Sequence, residues 1–431
     1  MDFQTPDNMT PDAIALAISE AIKGGRLASW SEMPAFLVKE CHLSEEDALT
    51  VSQAVGHKWQ EEFFPPIHRM ELFITENCNL RCDYCFVEGK NAFHAMSPET
   101  ARRSIDFLFA HSRDAKQLHI FFMGGEPFLE FELMRMTAEY AEKLAKEQGK
   151  GLEFSVTTNG TLFSEESLAF CAKHQIKYLL SIDGDQETHD QHRKTASGRG
   201  SFDMLMRWLP RMKYYQPWMG ARMTVHPDTA HRIVDNVRFL IDRGINQFII
   251  GPATGQEWPE EALEAYQAQM IDVANLYKEK RAEGVPLRFE LFDQLENLCD
   301  KKGIWGCQAG RHSITIAANG DIYPCSKMLG LNDLGGIYRL GDLEQGITEV
   351  DARSQLIAMW GKKETKCITC DMADSCAGGC FADNYQATGS IFQPWETECC
   401  IVRRNLAVRR YAAQLLGVTA RDEKAGEECA V

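Results

Sequence analysis

The sequence predicts an α/β fold, namely a partial barrel of six strand–helix units with a short helical segment before it and a cysteine-rich domain after it. Strand-like runs alternate with amphipathic helical stretches between residues 66 and 295, and ten of the fifteen cysteines lie beyond residue 296. Such alternation implies parallel strands joined by right-handed crossovers. Six units are too few to close an eightfold barrel.

Length and charge limit the class of protein. The 431 residues suffice for two or three domains, and an apolar content of 44% allows a large core. The net charge of −16 disfavours a nucleic-acid partner, which requires a basic face. The start of the chain lacks the basic and apolar regions of a secretory signal, and no apolar run is long enough for a membrane span. We therefore expect a cytoplasmic protein without a membrane partner, whose cysteines bind metal rather than form disulfides.

The first 65 residues show a helical pattern. One helix is predicted from Pro11 to about Gly24, and Ser44 followed by three acidic residues indicates the start of another. The pair Pro65-Pro66 ends this segment. It contains no catalytic motif, so we expect a helical cap over the barrel.

Six strands are predicted between residues 66 and 295, with helical stretches such as 98–111, 131–148 and 202–215 between them. The strands cover residues 69–75, 117–123, 152–157, 177–182, 221–226 and 246–250. Active sites of barrels lie at the carboxyl ends of the strands, and the polar motifs of this chain follow strands one to four.

A loop with three cysteines follows the first strand. Cys78, Cys82 and Cys85 are spaced C-x3-C-x2-C, and several thiolates on one short loop suit zinc or an iron–sulfur cluster. A [4Fe–4S] cluster on three thiolates leaves one iron open to a chelating ligand. A zinc site would need a fourth ligand, for which His94 is a candidate. The residues alone do not distinguish an iron–sulfur cluster from a zinc site.

The spacing, with Tyr84 before the last cysteine, resembles the cluster loop of the radical SAM enzymes. This resemblance implies a [4Fe–4S] cluster whose open iron binds S-adenosylmethionine (SAM). It also implies reductive cleavage of SAM to a 5′-deoxyadenosyl radical, which removes a hydrogen atom from the substrate.

Three further motifs extend the resemblance. Gly124-Gly125-Glu126-Pro127 is similar to the motif that holds the methionine amino group, and the stretch from Ser181-Ile182-Asp183-Gly184 to Arg193 resembles the pattern of sulfatase- and peptide-maturing members. The resemblance implies that Ser181 contacts SAM and that Arg193 pairs with its carboxylate, which suits a guanidinium fork. Asn159 and Asp183 fit cofactor or turn roles equally. The SAM-binding candidates are Gly124, Gly125, Glu126, Pro127, Asn159, Ser181, Asp183 and Arg193.

The C-terminal cysteines suit two closed zinc sites when taken alone. Their order and spacing resemble the SPASM domain, which carries two auxiliary [4Fe–4S] clusters, so the resemblance implies three clusters in all. One auxiliary cluster would take Cys307, Cys325, Cys380 and, upstream, Cys299. The other would take Cys367, Cys370, Cys376 and Cys399, with Cys400 as the alternative to Cys399.

These motifs predict four regions: a helical segment 1–65, a radical SAM barrel 66–295, a SPASM domain 296–415 and a tail 416–431. The leading function is oxidative maturation of a ribosomal peptide, with a thioether or carbon–carbon crosslink and an external electron donor such as flavodoxin or ferredoxin. The alternatives are formylglycine formation in a sulfatase, oxidation of a small-molecule alcohol, and a non-enzymatic zinc scaffold. Sulfatase maturases carry an aspartate directly after the cysteine of a Tyr-Pro-Cys motif. In this chain Tyr323-Pro324-Cys325 is followed by Ser326. No catalytic base can be assigned.

Overall fold

The computed structural model describes residues 10–27, 29–87, 94–293, 295, 307–329, 338–358, 367, 369–372, 376 and 378–418. The predicted cluster ligand Cys299 lies outside these residues.

Eleven strands occur within these ranges. They are β1 (Arg69–Thr75), β2 (Gln117–Gly124), β3 (Gly151–Thr158), β4 (Ile176–Ser181), β5 (Gly220–Val225), β6 (Gln247–Pro252), β7 (Arg288–Phe289), β8 (Ser313–Ile316), β9 (Asp321–Tyr323), β10 (Gly341–Asp342) and β11 (Gly346–Ile347). The six predicted strands correspond to β1–β6, with bounds that differ by two residues at most.

All eleven strands form one sheet in the order β11-β10-β9-β8-β1-β2-β3-β4-β5-β6-β7. Neighbours from β8 through β1 to β7 are parallel, whereas β8–β9, β9–β10 and β10–β11 are antiparallel. The sheet begins at β11 and ends at β7, so it is open. The alternating parallel order is confirmed, whereas the curvature of a partial barrel stays a prediction.

Fourteen α-helices lie in the described part of the chain. They are α1 (Pro11–Lys23), α2 (Met33–Cys41), α3 (Glu45–Phe63), α4 (Pro98–His111), α5 (Phe131–Gln148), α6 (Glu165–Lys173), α7 (Gln186–His192), α8 (Phe202–Tyr215), α9 (Ile233–Asp242), α10 (Glu260–Ala282), α11 (Ser326–Leu329), α12 (Val350–Ala358), α13 (Phe381–Thr388) and α14 (Glu396–Leu415). Short 3₁₀ turns occupy Trp30–Glu32, Pro127–Glu130, Pro227–Arg232 and Glu290–Phe292. Most of the helices between β1 and β7 connect consecutive strands, as parallel pairing requires.

The sheet lies in the main core of the protein. The last residues of β1 are buried in succession rather than alternately, which is the pattern of a parallel strand covered on both faces. Local signals fix the helix ends. Ser97 caps α4 by accepting a hydrogen bond from the amide of Thr100, and Gly149 ends α5 in the left-handed conformation.

The N-terminal helices α1–α3 form a separate apolar cluster around Ile18, Met33 and Leu37. Gln60 attaches them to the C-terminal part of the sheet by donating to the carbonyl of Ile347 at 3.0 Å, and the amide of Trp30 donates to Asp351. The predicted helical content is confirmed here.

The C-terminal part of the chain is joined to the parallel sheet, because β8 pairs with β1. The predicted division at residue 296 is therefore crossed by the sheet, and the four-region division stays a prediction. Within the described ranges, no helix combines the length and the apolarity needed to cross a bilayer.

Candidate active site

The three-cysteine loop follows the carboxyl end of β1, and hydrogen bonds of its own backbone amides position it. The amide of Arg81 donates to the carbonyl of Lys194 at 2.6 Å, and the amide of Leu80 donates to Sγ of Cys78 at 3.4 Å. Cys78, Cys82 and Cys85 are all partly exposed. Burial raises the pKa of the Cys78 thiol to about 12, and the negative charges of Glu126 and the other two thiols add to this. A cation beside these thiols would reverse this shift and stabilise the thiolates.

The Gly124-Gly125 turn presses against the chain that leads into Cys78. A Cβ atom on Gly124 would lie 2.2 Å from the carbonyl oxygen of Thr75, and one on Gly125 would lie 2.2 Å from that of Asn77. The amide of Gly125 donates to Thr75 and that of Glu126 to Asn77. The absence of side chains on these two glycines therefore allows the turn to lie directly against the backbone before the cysteine loop.

Glu126 is buried with 1% exposure behind the cysteine loop. Its carboxylate accepts hydrogen bonds from the Thr158 hydroxyl and the Asn159 amide, each at 2.8 Å, and from the Phe128 amide at 3.1 Å. Burial raises its pKa to about 7, although these three donors act in the opposite direction. The carboxylate thus joins the end of β2 to the end of β3.

Asn159 connects the loop after β3 to the cysteine loop. Its Nδ2 donates to Oδ1 of Asn79 at 2.8 Å, and Nδ2 of Asn79 donates to the Thr161 hydroxyl at 2.8 Å. That hydroxyl in turn donates to Oδ1 of Asn159 at 2.7 Å. The three side chains close a ring of hydrogen bonds, so Asn159 has a clear positioning role here.

Asp183 and Arg193 form a buried ion pair after β4. Nε and Nη2 of Arg193 donate to the two carboxylate oxygens at 2.8 and 2.9 Å, and the side chains are 8% and 3% exposed. Tyr84 and the amide of Thr224 donate to the same carboxylate. Burial raises the pKa of Asp183, but the charge of Arg193 outweighs it and the pKa is lowered. The fork of Arg193 is thus directed at Asp183, and its predicted role toward the SAM carboxylate stays a prediction.

Ser181 is the last residue of β4 and is partly exposed. It therefore lies at the carboxyl end of its strand, as the cysteine loop does at the end of β1. Pro127 begins the 3₁₀ turn after β2 and is buried. His94 is exposed and its Nδ1 is 3.0 Å from Glu76. His119 lies on β2, where its Nε2 contacts the Ser155 hydroxyl at 2.7 Å, toward the opposite end of that strand. Ser181 therefore lies at the carboxyl ends of the strands, whereas His119 lies near the opposite end of β2.

Contacts among the described residues relate the C-terminal cysteines in two sets, and their assignment to two clusters stays a prediction. The first contains Cys307, Cys325 and Cys380. Burial raises the pKa of Cys325, and the charges of Cys307 and Cys380 are the next largest causes, so the three lie near one another. Nζ of Lys327 is 3.9 Å from Sγ of Cys380 and 2.8 Å from the Asp383 carboxylate.

The second group includes Cys370 and Cys399. Nη2 of Arg403 contacts Sγ of Cys370 at 3.1 Å, and the pKa of Arg403 is raised by its Asp371 partner and further by Cys370 and Cys399. Cys399 and Arg403 are four residues apart on α14 and share one face, whereas Cys400 packs against the main core. Cys376 accepts a hydrogen bond from the amide of Gly378, and Cys367 precedes Cys370 by one turn.

A cavity of about 410 Å³ separates the end of the sheet from these cysteines. Arg222 and Glu290 line it from β5 and the turn after β7, and Lys327, Cys380 and Asp383 line it from the C-terminal part. No sequence motif identifies Arg222, Glu290 or Lys327 as residues of this site. Glu290 directly follows β7 and Lys327 lies two residues after the predicted ligand Cys325, whereas Arg222 lies within β5.

The two cysteine regions meet at a small apolar cluster. Cys85 packs against a group that includes Phe73 at the end of β1, together with Tyr323 and Leu329 beside Cys325. The cysteine loop and the chain around Cys325 are therefore neighbours, and Cys380 lines the cavity together with residues of β5 and β6. A parallel α/β sheet with a three-thiolate loop at its carboxyl edge defines a metal-cluster enzyme.

Comparisons with known proteins agree with this class. The Radical SAM superfamily profile matches residues 72–240, and the SPASM profile, described as an iron-sulfur cluster-binding domain, matches residues 307–376. This chain is a radical SAM enzyme with a SPASM domain, and its cofactors are SAM and iron–sulfur clusters.

Two curated relatives indicate the kind of enzyme. The serine-type anaerobic sulfatase-maturating enzyme of Bacteroides thetaiotaomicron is 26% identical over 358 residues, which is 76% of this chain and 85% of that protein. The antilisterial bacteriocin subtilosin biosynthesis protein AlbA of Bacillus subtilis is 24% identical over 285 residues, covering 64% of this chain and 58% of that protein.

Solved structures share the fold. The enzyme anSMEcpe with bound AdoMet superposes with a TM-score of 0.67 at 21% identity, covering 82% of this chain and 99% of that one. Streptococcus suis SuiB bound to precursor peptide SuiA has a TM-score of 0.57 at 17% identity, covering 90% of this chain and 89% of the other.

Proposed function

We propose that this chain oxidatively modifies a ribosomally made peptide, installing a thioether or carbon–carbon crosslink. The observation that carries the proposal is the cavity of about 410 Å³ with Cys380 in its wall. A volume of this size fits a side chain or a few residues of peptide. A substrate in it would lie between the strand ends of β5 and β6 and the C-terminal thiols, within reach of both.

The thiol groups fit the clusters that this proposal needs. Cys78, Cys82 and Cys85 offer three soft ligands on one loop, and burial of Cys78 keeps its thiol protonated unless a cation is present. We assign Cys307, Cys325 and Cys380, with Cys299, to one auxiliary cluster. We assign Cys367, Cys370, Cys376 and Cys399 to the other, which gives three [4Fe–4S] clusters in all.

The polar residues beside the cysteine loop fit SAM by their chemistry. Glu126 offers a buried carboxylate to an ammonium group, and the partly exposed Ser181 offers a hydroxyl. Gly124, Gly125 and Pro127 shape the turn that presents Glu126, while Asn159, Asp183 and Arg193 hold the loops around it. When bound, SAM and its cluster would supply a 5′-deoxyadenosyl radical, and an auxiliary cluster would accept one electron from the substrate radical.

The chain's own residues orient the substrate and keep charge balanced. Lys327 pairs with Asp383 at 2.8 Å in the cavity wall and lies 3.9 Å from Cys380. Its ammonium group therefore stabilises the thiolate of Cys380 and fixes α11 to α13. Arg222 and Glu290 place one positive and one negative charge in the opposite wall of the cavity. These charges suit the carbonyl and amide groups of a peptide. An external donor such as flavodoxin or ferredoxin supplies electrons.

The second candidate is formylglycine formation in a sulfatase, which the similarity to the Bacteroides enzyme favours. Against it stands Ser326, at the position where those maturases carry an aspartate. Ser326 is buried, and its amide donates to Glu71 at 3.0 Å. Asp383 places a carboxylate in the wall of the cavity of about 410 Å³, but this carboxylate accepts a hydrogen bond from Lys327.

Tandem mass spectrometry distinguishes the two candidates. The reconstituted enzyme is incubated anaerobically with SAM and a reductant, either with a short peptide encoded beside this gene or with a sulfatase-type Cys/Ser peptide. A crosslink localised in the first peptide, absent with Cys78→Ala, supports peptide maturation. An aldehyde in the second peptide overturns it in favour of sulfatase maturation. Deoxyadenosine release with neither product overturns both and favours a small-molecule alcohol.

A further inference from the structure

We propose that His192, His226 and Asp228 form a zinc site beside the cysteine loop, separate from the iron–sulfur clusters. One ligand atom from each residue lies within 4.8 Å of one from each of the others. Two imidazoles and one carboxylate are a ligand set that zinc accepts, with water completing the coordination. The three residues come from the end of α7 and from the segment that leaves β5.

The spacing of the ligand atoms suits one ion. Oδ1 of Asp228 is 3.1 Å from Nε2 of His192 and 2.6 Å from Nδ1 of His226. Ligands on tetrahedral zinc with bonds of about 2.0–2.1 Å lie about 3.3 Å apart. The His192 contact already has nearly this length, and the shorter His226 contact lengthens when the ion enters.

Outer partners orient the ligands in the way that metal sites require. Nδ1 of His192 lies 2.9 and 3.1 Å from the two oxygens of Asp83, so it carries a proton and donates to that carboxylate. Gln191 donates to Oδ2 of Asp228 at 2.7 Å and leaves Oδ1 to the site. A carboxylate behind a histidine ligand fixes its tautomer and raises its basicity.

The facing acceptor atoms of His192 and Asp228 favour a cation between them. With its proton on Nδ1, neutral His192 presents an unprotonated Nε2 to Oδ1 of Asp228, and two acceptors 3.1 Å apart repel each other. Either a second proton or a metal ion must lie between them. The His192 and His226 rings are 4.1 Å apart, so the two imidazoles reach the same carboxylate oxygen from neighbouring positions. A zinc ion satisfies all three atoms at once.

The site has a structural consequence. Asp83 lies between Cys82 and Cys85, so a metal on His192 fixes the cysteine loop to α7 and to the exit of β5. His192 has a side chain that is 7% exposed, whereas that of Asp228 is 45% exposed. The ion therefore has a buried side toward the loop and an open side through which it enters.

The test uses the reconstituted holoenzyme, so that iron occupies the cluster thiols. The protein is dialysed against Zn²⁺, and the bound zinc is counted by mass spectrometry and examined by zinc K-edge absorption. We expect about one zinc per chain with nitrogen and oxygen neighbours only. The double variant His226→Gln/Asp228→Asn should lose this zinc, whereas the matched surface variant His231→Gln/Asp235→Asn should keep it.

Two results overturn the proposal. One is equal zinc content in both double variants. The other is a wild-type absorption spectrum with sulfur neighbours alone or with no bound zinc, which would assign His192 as an imidazolium between two carboxylates. The zinc absorption spectrum of the wild-type enzyme tests the proposal even if the His226→Gln/Asp228→Asn variant fails to fold.

Discussion

The phenol of Tyr84 donates a 2.6 Å hydrogen bond to Oδ2 of Asp183, across 99 positions of sequence. Tyr84 lies inside the cysteine loop and Asp183 follows β4, so this bond connects two separate motifs of the site. The guanidinium of Arg193 lies 5.4 Å from the centre of the tyrosine ring and also holds Asp183. The cysteine loop is thus anchored to a buried ion pair.

Replacing Tyr84 with phenylalanine should loosen this anchor. The ring and its contact with Arg193 remain, and Asp183 keeps three other donors, so we expect a loss of about 1 kcal/mol in stability. The same free energy corresponds to about fivefold weaker SAM binding if it acts on the loop geometry. Thermal unfolding and SAM titration of the reconstituted enzyme measure both. The surface variant Tyr140→Phe is the control, and SAM binding unchanged from wild type would contradict the anchoring role.

Removing Arg193 should be far more costly. Arg193→Gln leaves the buried Asp183 carboxylate without its counter-ion, which costs about 3–5 kcal/mol. The double variant with Asp183→Asn should recover part of that loss because no buried charge remains. Denaturant unfolding of the single and double variants measures the coupling. Arg211→Gln breaks an exposed pair with Glu165 and should cost under about 1 kcal/mol; equal losses at the two sites would refute the argument.

The sequence predicts the alternating core of this fold well, because a parallel strand leaves a local apolar run and a helix a local period. Residues 69–75 match β1 in full. It does not predict that β8 joins the sheet beside β1. That strand has four residues, and its partner lies more than 240 positions earlier, so no local pattern identifies the pairing.

The candidate site shows the same limit. The cysteines and the glycine turn could be identified because their spacing is local. The contacts Tyr84–Asp183 and Asp83–His192 join loops about 100 positions apart, and only the fold brings them together. The glycines illustrate a further limit. The motif predicts that small residues are needed, but the structure identifies the neighbouring backbone, at Thr75 and Asn77, as the reason.

Stability should depend on pH through His189. Its Nε2 faces the Ser201 hydroxyl, which donates to the Arg193 carbonyl and therefore accepts a proton from His189. Its Nδ1 is buried and has no hydrogen-bond partner among the described residues. Burial, together with the nearby Arg193 charge, lowers the pKa to about 3. The unfolded histidine titrates near about 6.5 and so binds protons first. Stability should therefore fall as pH drops below about 6.5, by about 2 kcal/mol at pH 5.

The variant His189→Gln isolates this effect, because glutamine keeps a donor for Ser201 but does not titrate. The difference in unfolding free energy between wild type and variant, measured from about pH 7.5 to 5, should shift against the wild type as pH falls. His231→Gln, at an exposed position, should leave the wild-type profile unchanged. A pH-independent difference between wild type and His189→Gln would show that His189 does not titrate as its burial requires.

SAM binding should depend on pH through Glu126. The burial that raises its pKa to about 7 leaves the carboxyl group increasingly protonated below that pH, and an ammonium group needs the ionised form. We expect the Kd for SAM to rise by up to about tenfold per unit as pH falls below 7. Anaerobic calorimetry between pH 6 and 8 measures this. Glu126→Gln should bind weakly at every pH, whereas the exposed Glu139→Gln should follow the wild type. A flat wild-type profile would remove Glu126 from SAM binding.

Cys399 and Cys400 are adjacent but should differ in iron binding. Cys399 shares a helix face with Arg403, whose Nη2 lies 3.1 Å from Sγ of Cys370, and the charges of both Cys370 and Cys399 raise the pKa of Arg403. Cys399→Ser should therefore lose one cluster, about four irons per chain after reconstitution. Cys400→Ser should keep its iron, although its partly buried thiol is replaced by a hydroxyl. Iron and sulfide analysis with Mössbauer spectra distinguishes the two variants. The reverse result would assign Cys400 as the ligand and require α14 to present its other face to Cys370.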